Sequence, residues 1–201
     1  MKLYLKPGAC SLSPHIVLCE LGLPHETEVV DTKAGKTAGG VDFSTINPKG
    51  FVPALALDNG EVLTEGPAIV QYLAEQKPEA GLLPPPATLA RARVQELLNF
   101  IGTDIHKSFT PLFRPEAADG WKATGRANIE RHFTFLNKVL EGRAFLTGDA
   151  FTVADAYLFT VLGWTKFVNI DLAPWPNLVA YQQRIAARPA VQAALKSEGL
   201  I

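Results

Sequence analysis

Cys10 lies in the run Pro7-Gly-Ala-Cys-Ser-Leu-Ser-Pro14, a turn leading straight into an apolar stretch with helical character. A thiol in that position meets unpaired backbone N–H groups and the positive end of a helix dipole. Both favour the thiolate, the form that acts as nucleophile. Cys10 and Ser13 have the spacing of a C-x-x-C motif, with serine in the second place. Without a resolving thiol there, a mixed disulfide at Cys10 would last until an outside thiol arrived. The same setting also suits a small buried cysteine at a tight turn, so Cys10 by itself leaves both readings open. Cys19 falls in mid-helix and reads as a packing residue.

Three further groups carry chemistry in their types and spacing. Val52-Pro53 opens a strand, where proline cannot donate to a sheet ladder. It marks either an ordinary edge strand or a backbone turned outward, with Val52 free to pair with an extended peptide. Glu65-Gly66 begins a helix, whose first N–H groups attract an anion while Glu65 attracts a cation. Together they suit the carboxylate and ammonium of an α-amino acid. Asn99, Thr103 and His106, at i, i+4 and i+7, share one helix face, with Asp104 and Lys107 beside them. His106-Lys107 offers an imidazole and a fixed positive charge to a thiolate. Each of these groups also has a plain structural reading, and their weight comes from occurring together.

Several classes of function are excluded. Among 201 residues, 47% are hydrophobic and 19% charged, the balance of a globular chain, and the net charge of −1 offers no broad basic field to nucleic acid. No apolar run reaches the length needed to cross a bilayer, and the N-terminus reads as a strand and not as an export signal. A cytoplasmic setting with two reduced thiols is expected. His15, His25, His106 and His132 show no metal-ligand spacing to one another or to the cysteines, so no metal is expected.

The elements that position these groups fall into two halves. Residues 2–5 and 27–31 read as strands around a helix that begins at Ser13, as N-cap before Pro14, and stops near Gly22. A polar loop, Thr32 to Gly40, follows. Residues 54–64 form a hairpin about Asp58-Asn59-Gly60, and residues 67–77 a helix. This β-α-β, β-β-α order is that of a thioredoxin-like domain, an α/β unit in which the bond before Pro53 is expected to be cis. The proline-rich segment 78–86 is a linker. Beyond it, residues 88–114, 121–141, 152–168, 175–188 and 189–198 read as helices of an all-α domain spanning 87–201. Thr152 and Asp155 form a capping box, with Phe151 placed as a hydrophobic staple.

With these stretches in view, the chain resembles the bacterial Beta-class glutathione transferases from end to end. The resemblance rests on PGACSLSPHI, DFSTINPKGFVPAL, LTEGPAIVQYLAE, LNFIGTDIHKSFTPLF, FTVADAYLF and RIAARPAVQAAL. It implies the glutathione transferase fold, a homodimer, and glutathione as co-substrate. It further implies that Cys10 contacts the glutathione sulfur and that Val52, Glu65, Gly66, Asn99, His106 and Lys107 surround the tripeptide. Thr103 and Asp104 would reach the partner subunit's glutathione. The family commonly has lysine at the position of Gly35, so Lys33 or Lys36 becomes the candidate for the glycyl carboxylate. The implied reaction is attack of the glutathione thiolate on a small hydrophobic electrophile, with Cys10 and His106 as catalytic residues. Phe109, Phe113, Tyr157, Trp164 and Phe167 are candidates to line the electrophile pocket, although Tyr157, Val161, Trp164 and Val168 also form one stripe suited to a core. The rival activities are a glutathione-dependent thiol–disulfide reductase acting through Cys10 and a non-catalytic binder of hydrophobic ligands.

Overall fold

A computed structural model describes residues 1–201. By internal packing it divides into two units, Met1–Leu83 together with Ala187–Ile201, and Pro84–Ala186. The expected division at the proline-rich linker thus meets a difference at the other end of the chain: the final helix packs with the first unit. Arg188 holds it there through a two-pronged pair with Glu20, at 2.6 and 2.9 Å.

The first unit is built on a five-stranded sheet in the order β3-β2-β1-β4-β5. β1 (Lys2–Leu5) runs parallel to β2 (Glu26–Asp31) and antiparallel to β4 (Ala54–Ala56), which pairs with β5 (Val62–Thr64). The alternation of β1 sends Leu3 and Leu5 into the core, where Leu55, Ile16, Val17 and Leu18 are also buried. Gly60, at φ 87°, closes the β4–β5 turn at Asp58-Asn59-Gly60. The polar loop after β2 was not expected to hold a strand. Yet β3 (Lys36–Thr37) pairs with Val30 and Asp31, and Thr37 is buried. A two-residue strand is too short to leave a periodic signal.

Helix α1 (Leu12–Leu21) starts two residues before the expected position, with Ser11 and not Ser13 at the cap. The Ser11 hydroxyl does not cap the helix. It accepts from Lys6 N–H at 3.1 Å and donates to Lys6 O, closing the turn that carries Cys10. Ser13 is buried inside the helix and donates to Cys10 O. At the other end Gly22 adopts φ 57° and returns its N–H to Cys19 O, as a helix stop requires. Helix α2 (Gly66–Glu75) buries Ile69, Val70 and Leu73, and α8 (Pro189–Ser197) buries Val191 and Ala194.

The second unit is helical. α3 (Leu89–Phe100) passes without a break into a π-helical turn, Ile101–His106, then α4 (Lys107–Phe109) and a 3₁₀ turn, Thr110–Phe113. The expected single helix over 88–114 is therefore four pieces. α5 (Asp119–Val139), α6 (Val153–Gly163) and α7 (Pro176–Ala186) complete the unit. α6 is buried on all sides, and its start is the expected capping box. The Asp155 carboxylate accepts from Thr152 N–H at 2.8 Å, from Leu146 N–H and from the Tyr181 hydroxyl. No helix is long and apolar enough to cross a membrane.

Candidate functional site

The first unit brings together Cys10, Val52 and the turn before α2. Cys10 is half-buried, and its Sγ lies 3.2 Å from Val52 O, to which the thiol donates. Two devices fix that carbonyl. The Val52 side chain joins an apolar cluster with Val30, Phe43 and Ala54. Asn47, itself buried, donates to Phe51 O at 2.7 Å and accepts from Lys49 N–H, shaping the loop that leads to Val52. The Val52–Pro53 bond is cis, as expected. Nothing in the spacing of Asn47 marks it as a positioning residue.

Glu65 stands at the cap of α2 with φ 69° and ψ 111°, a conformation that non-glycine residues rarely adopt. Such backbone costs about 1–3 kcal/mol and concentrates at ligand sites. The residue gains no cap hydrogen bond from it. What the conformation does is aim an exposed carboxylate outward at the helix N-terminus, beside Gly66. Lys49 Nζ lies 2.7 Å from Glu65 Oε1 and 3.1 Å from Thr64 Oγ1. Lys49 went unassigned from sequence because sixteen residues separate it from its partner. The pair is solvent-exposed and contributes little to stability. Lys33, on the β2–β3 loop, and Lys36, the first residue of β3, are both exposed. Between them Gly35 has φ 70°, and the Asp31 side chain accepts from the N–H groups of Lys33 and Ala34. The left-handed backbone at position 35 suits glycine, which has no Cβ to strain it.

In the second unit, Asn99, Thr103, Asp104, His106 and Lys107 fall on α3, the π turn and the first residue of α4. The Thr103 hydroxyl lies 3.0 Å from Asn99 O and 2.6 Å from Asp104 Oδ2. Thr103, Asp104 and Lys107 edge a groove of about 200 Å³ shared with Trp121 and Arg131. π turns insert an extra residue and recur at functional sites, and no sequence signal announces them. His106 sits among aromatic rings, edge-on to Trp164 with centroids 4.6 Å apart. Its Nδ1 is 2.7 Å from the Tyr157 hydroxyl. Burial, helped by the charge of Lys107, lowers its pKa to about 4. His106 is therefore a neutral imidazole at pH 7. In the tautomer protonated at Nε2, the phenol donates to Nδ1 and Nε2–H remains a donor.

Of the aromatic candidates, Phe109, Tyr157 and Trp164 are buried and belong to the core of the unit, whereas Phe113 and Phe167 are exposed. Phe113 stacks on Phe109 and meets Trp164 edge-on.

The two units are those of the glutathione S-transferases, and the chain belongs to that family. Residues 8–76 match the glutathione S-transferase N-terminal domain and residues 102–189 the C-terminal domain. The chain is 47% identical, over the whole of both chains, to glutathione S-transferase GstA of Escherichia coli O157:H7. Among solved structures it is similar to a bacterial beta class glutathione S-transferase of Sphingomonas chungbukensis, with 49% identity, complete coverage of both chains and a TM-score of 0.97. A sphingomonad glutathione S-transferase complexed with glutathione matches with 51% identity, complete coverage of both and a TM-score of 0.96.

Proposed function

We propose that this chain binds glutathione and catalyses attack of its thiolate on small hydrophobic electrophiles, working as a cytoplasmic homodimer. The observation that carries the glutathione assignment is the outlying backbone of Glu65. It presents a carboxylate beside the N–H of Gly66 at a helix start, the pairing that an α-amino acid requires. The γ-glutamyl end docks at Glu65 and Gly66, the cysteinyl part pairs with the backbone of Val52, and the sulfur lies at Cys10. Lys33 or Lys36 meets the glycyl carboxylate. The glutathione complex of the sphingomonad relative supports this reading.

The expected roles of the second unit enter as part of the proposal. Asn99, His106 and Lys107 serve glutathione, and Thr103 and Asp104 serve the partner subunit's glutathione. His106 acts as a neutral donor to the thiolate, since its burial excludes the imidazolium at pH 7. Lys107 then supplies the positive charge. Holding the thiolate and an apolar reactant together removes the entropy cost of their encounter.

A second activity has its own observation. Ser13, where C-x-x-C chemistry has its resolving thiol, is committed to Cys10 O and cannot release a mixed disulfide. Glutathione-dependent disulfide reduction through Cys10 then needs a second glutathione to release the enzyme. Replacing Cys10 with alanine separates the two. Conjugation of a model aryl halide survives in part if Cys10 only stabilises the thiolate, whereas reduction of a glutathione mixed disulfide disappears. Loss of glutathione binding by every variant and by the parent chain alike would overturn the proposal and leave a non-catalytic binder.

A further inference from the structure

His15, Cys19 and His25 meet in space although their spacing showed no ligand pattern. Each offers a donor atom, and the three atoms lie within 4.8 Å of one another. His15 and Cys19 share a face of α1 at i and i+4, and the chain turns back at Gly22 to bring His25 over them. The two imidazoles meet edge-on with centroids 5.6 Å apart.

The surroundings fix which ring nitrogens are available. His15 Nδ1 is 2.8 Å from Glu198 Oε1, both side chains being almost wholly buried. A carboxylate can only accept there, so Nδ1 carries the hydrogen. His25 Nδ1 is 2.7 Å from Leu23 O, a carbonyl, and carries its hydrogen for the same reason. Nε2 is thus the coordinating atom of each ring, and on His15 that nitrogen, which hydrogen-bonds the Cys19 thiol, must give up its hydrogen to a metal. A carboxylate on one histidine and a backbone carbonyl on the other are the partners that ordinarily orient metal-bound imidazoles.

We propose that His15, Cys19 and His25 bind a single zinc ion through two imidazole nitrogens and one thiolate, with water as the fourth ligand. Two nitrogens and a sulfur suit a borderline-soft ion and disfavour calcium and magnesium. Tetrahedral zinc needs donor separations of about 3.3–3.5 Å. The ligand atoms must close by up to about 1.5 Å, and Cys19 and His25, neither fully buried, have the freedom to do so. Binding displaces the thiol proton of Cys19 and any proton on the coordinating nitrogens to solvent, with no change of oxidation state. The ion would bear on the Cys10 turn as well, because Glu198 Oε2 accepts from Gly8 N–H at 2.9 Å.

The test uses the full chain freed of metal with a chelator. Cobalt(II) is titrated first, as a spectroscopic stand-in, and zinc is then titrated against a chromophoric chelator. A single equivalent of cobalt should give a thiolate-to-cobalt charge-transfer band and tetrahedral ligand-field bands, both abolished by zinc. Cys19→Ser should remove the charge-transfer band, and Glu198→Gln should weaken zinc binding roughly 10–100-fold. His25→Ala should weaken zinc binding at least as much while leaving circular dichroism and conjugation activity unchanged, which shows that the variant folds. Cys10→Ala should keep the band. The proposal falls if no band forms, if the band survives Cys19→Ser, or if it is lost with Cys10→Ala instead.

Discussion

Protonating His106 should weaken the fold, and the size of the effect follows from its surroundings. In an unfolded chain this histidine takes up its proton near the ordinary value of 6.5, whereas in the folded protein burial and Lys107 hold the value at about 4. Between those limits the unfolded state binds more protons, so acid draws the equilibrium toward unfolding. A histidine with a depressed folded pKa costs nothing above pH 6.5, and its full cost is reached below pH 4. The difference corresponds to about 3 kcal/mol. Urea denaturation of the parent and of His106→Asn, from about pH 8 to about pH 4, isolates this contribution. The variant loses packing against Trp164 and the Tyr157 hydrogen bond, an effect that does not change with pH. Other titrating groups cancel in the comparison. The stability gap between parent and variant should therefore narrow by about 3 kcal/mol as pH falls from 6.5 to 4. Nuclear magnetic resonance of the labelled imidazole should show no titration near neutrality. A gap that stays constant, or an imidazole titrating above pH 6, would refute both the neutral state and its role as donor.

Glu65→Gln keeps the backbone in place and removes the charge, so the KM for glutathione should rise while stability stays within about 0.5 kcal/mol, since the lost Lys49 pair is exposed. Steady-state kinetics and a urea curve on one preparation check both. Gly125→Ala should destabilise by about 1–3 kcal/mol, because a Cβ there would lie 2.6 Å from Ser108 O and 2.8 Å from Pro111 Cγ. Thermal melting should show it as a fall of several degrees. Asp155→Ala leaves buried donors on Leu146, Thr152 and Tyr181 without their acceptor and should cost about 3 kcal/mol or more, seen in the denaturation midpoint.

Local chemistry made half of this molecule legible from sequence. Asp58-Asn59-Gly60 and Gly22 announce a turn and a helix stop because glycine there needs positive φ. The thiol at a helix start and the proline opening a strand pointed to Cys10 and Val52 for similar reasons. Other features depend on tertiary proximity, which spacing does not record. The Lys49–Glu65 pair joins residues from separate elements. Asn47 acts through a carbonyl four residues away. The π turn at Ile101–His106 buries Ile101 and Ile105 without any signal in the spacing of the sequence. His15, Cys19 and His25 looked unrelated because only the turn after Gly22 brings the third to the other two.

A structure of the chain with glutathione bound tests the central claim most directly. The account predicts the sulfur at Cys10, main-chain pairing with Val52, and the γ-glutamyl ammonium and carboxylate at Glu65 and Gly66. Glutathione lying elsewhere, or absent from a crystal grown at saturating concentration, would contradict it.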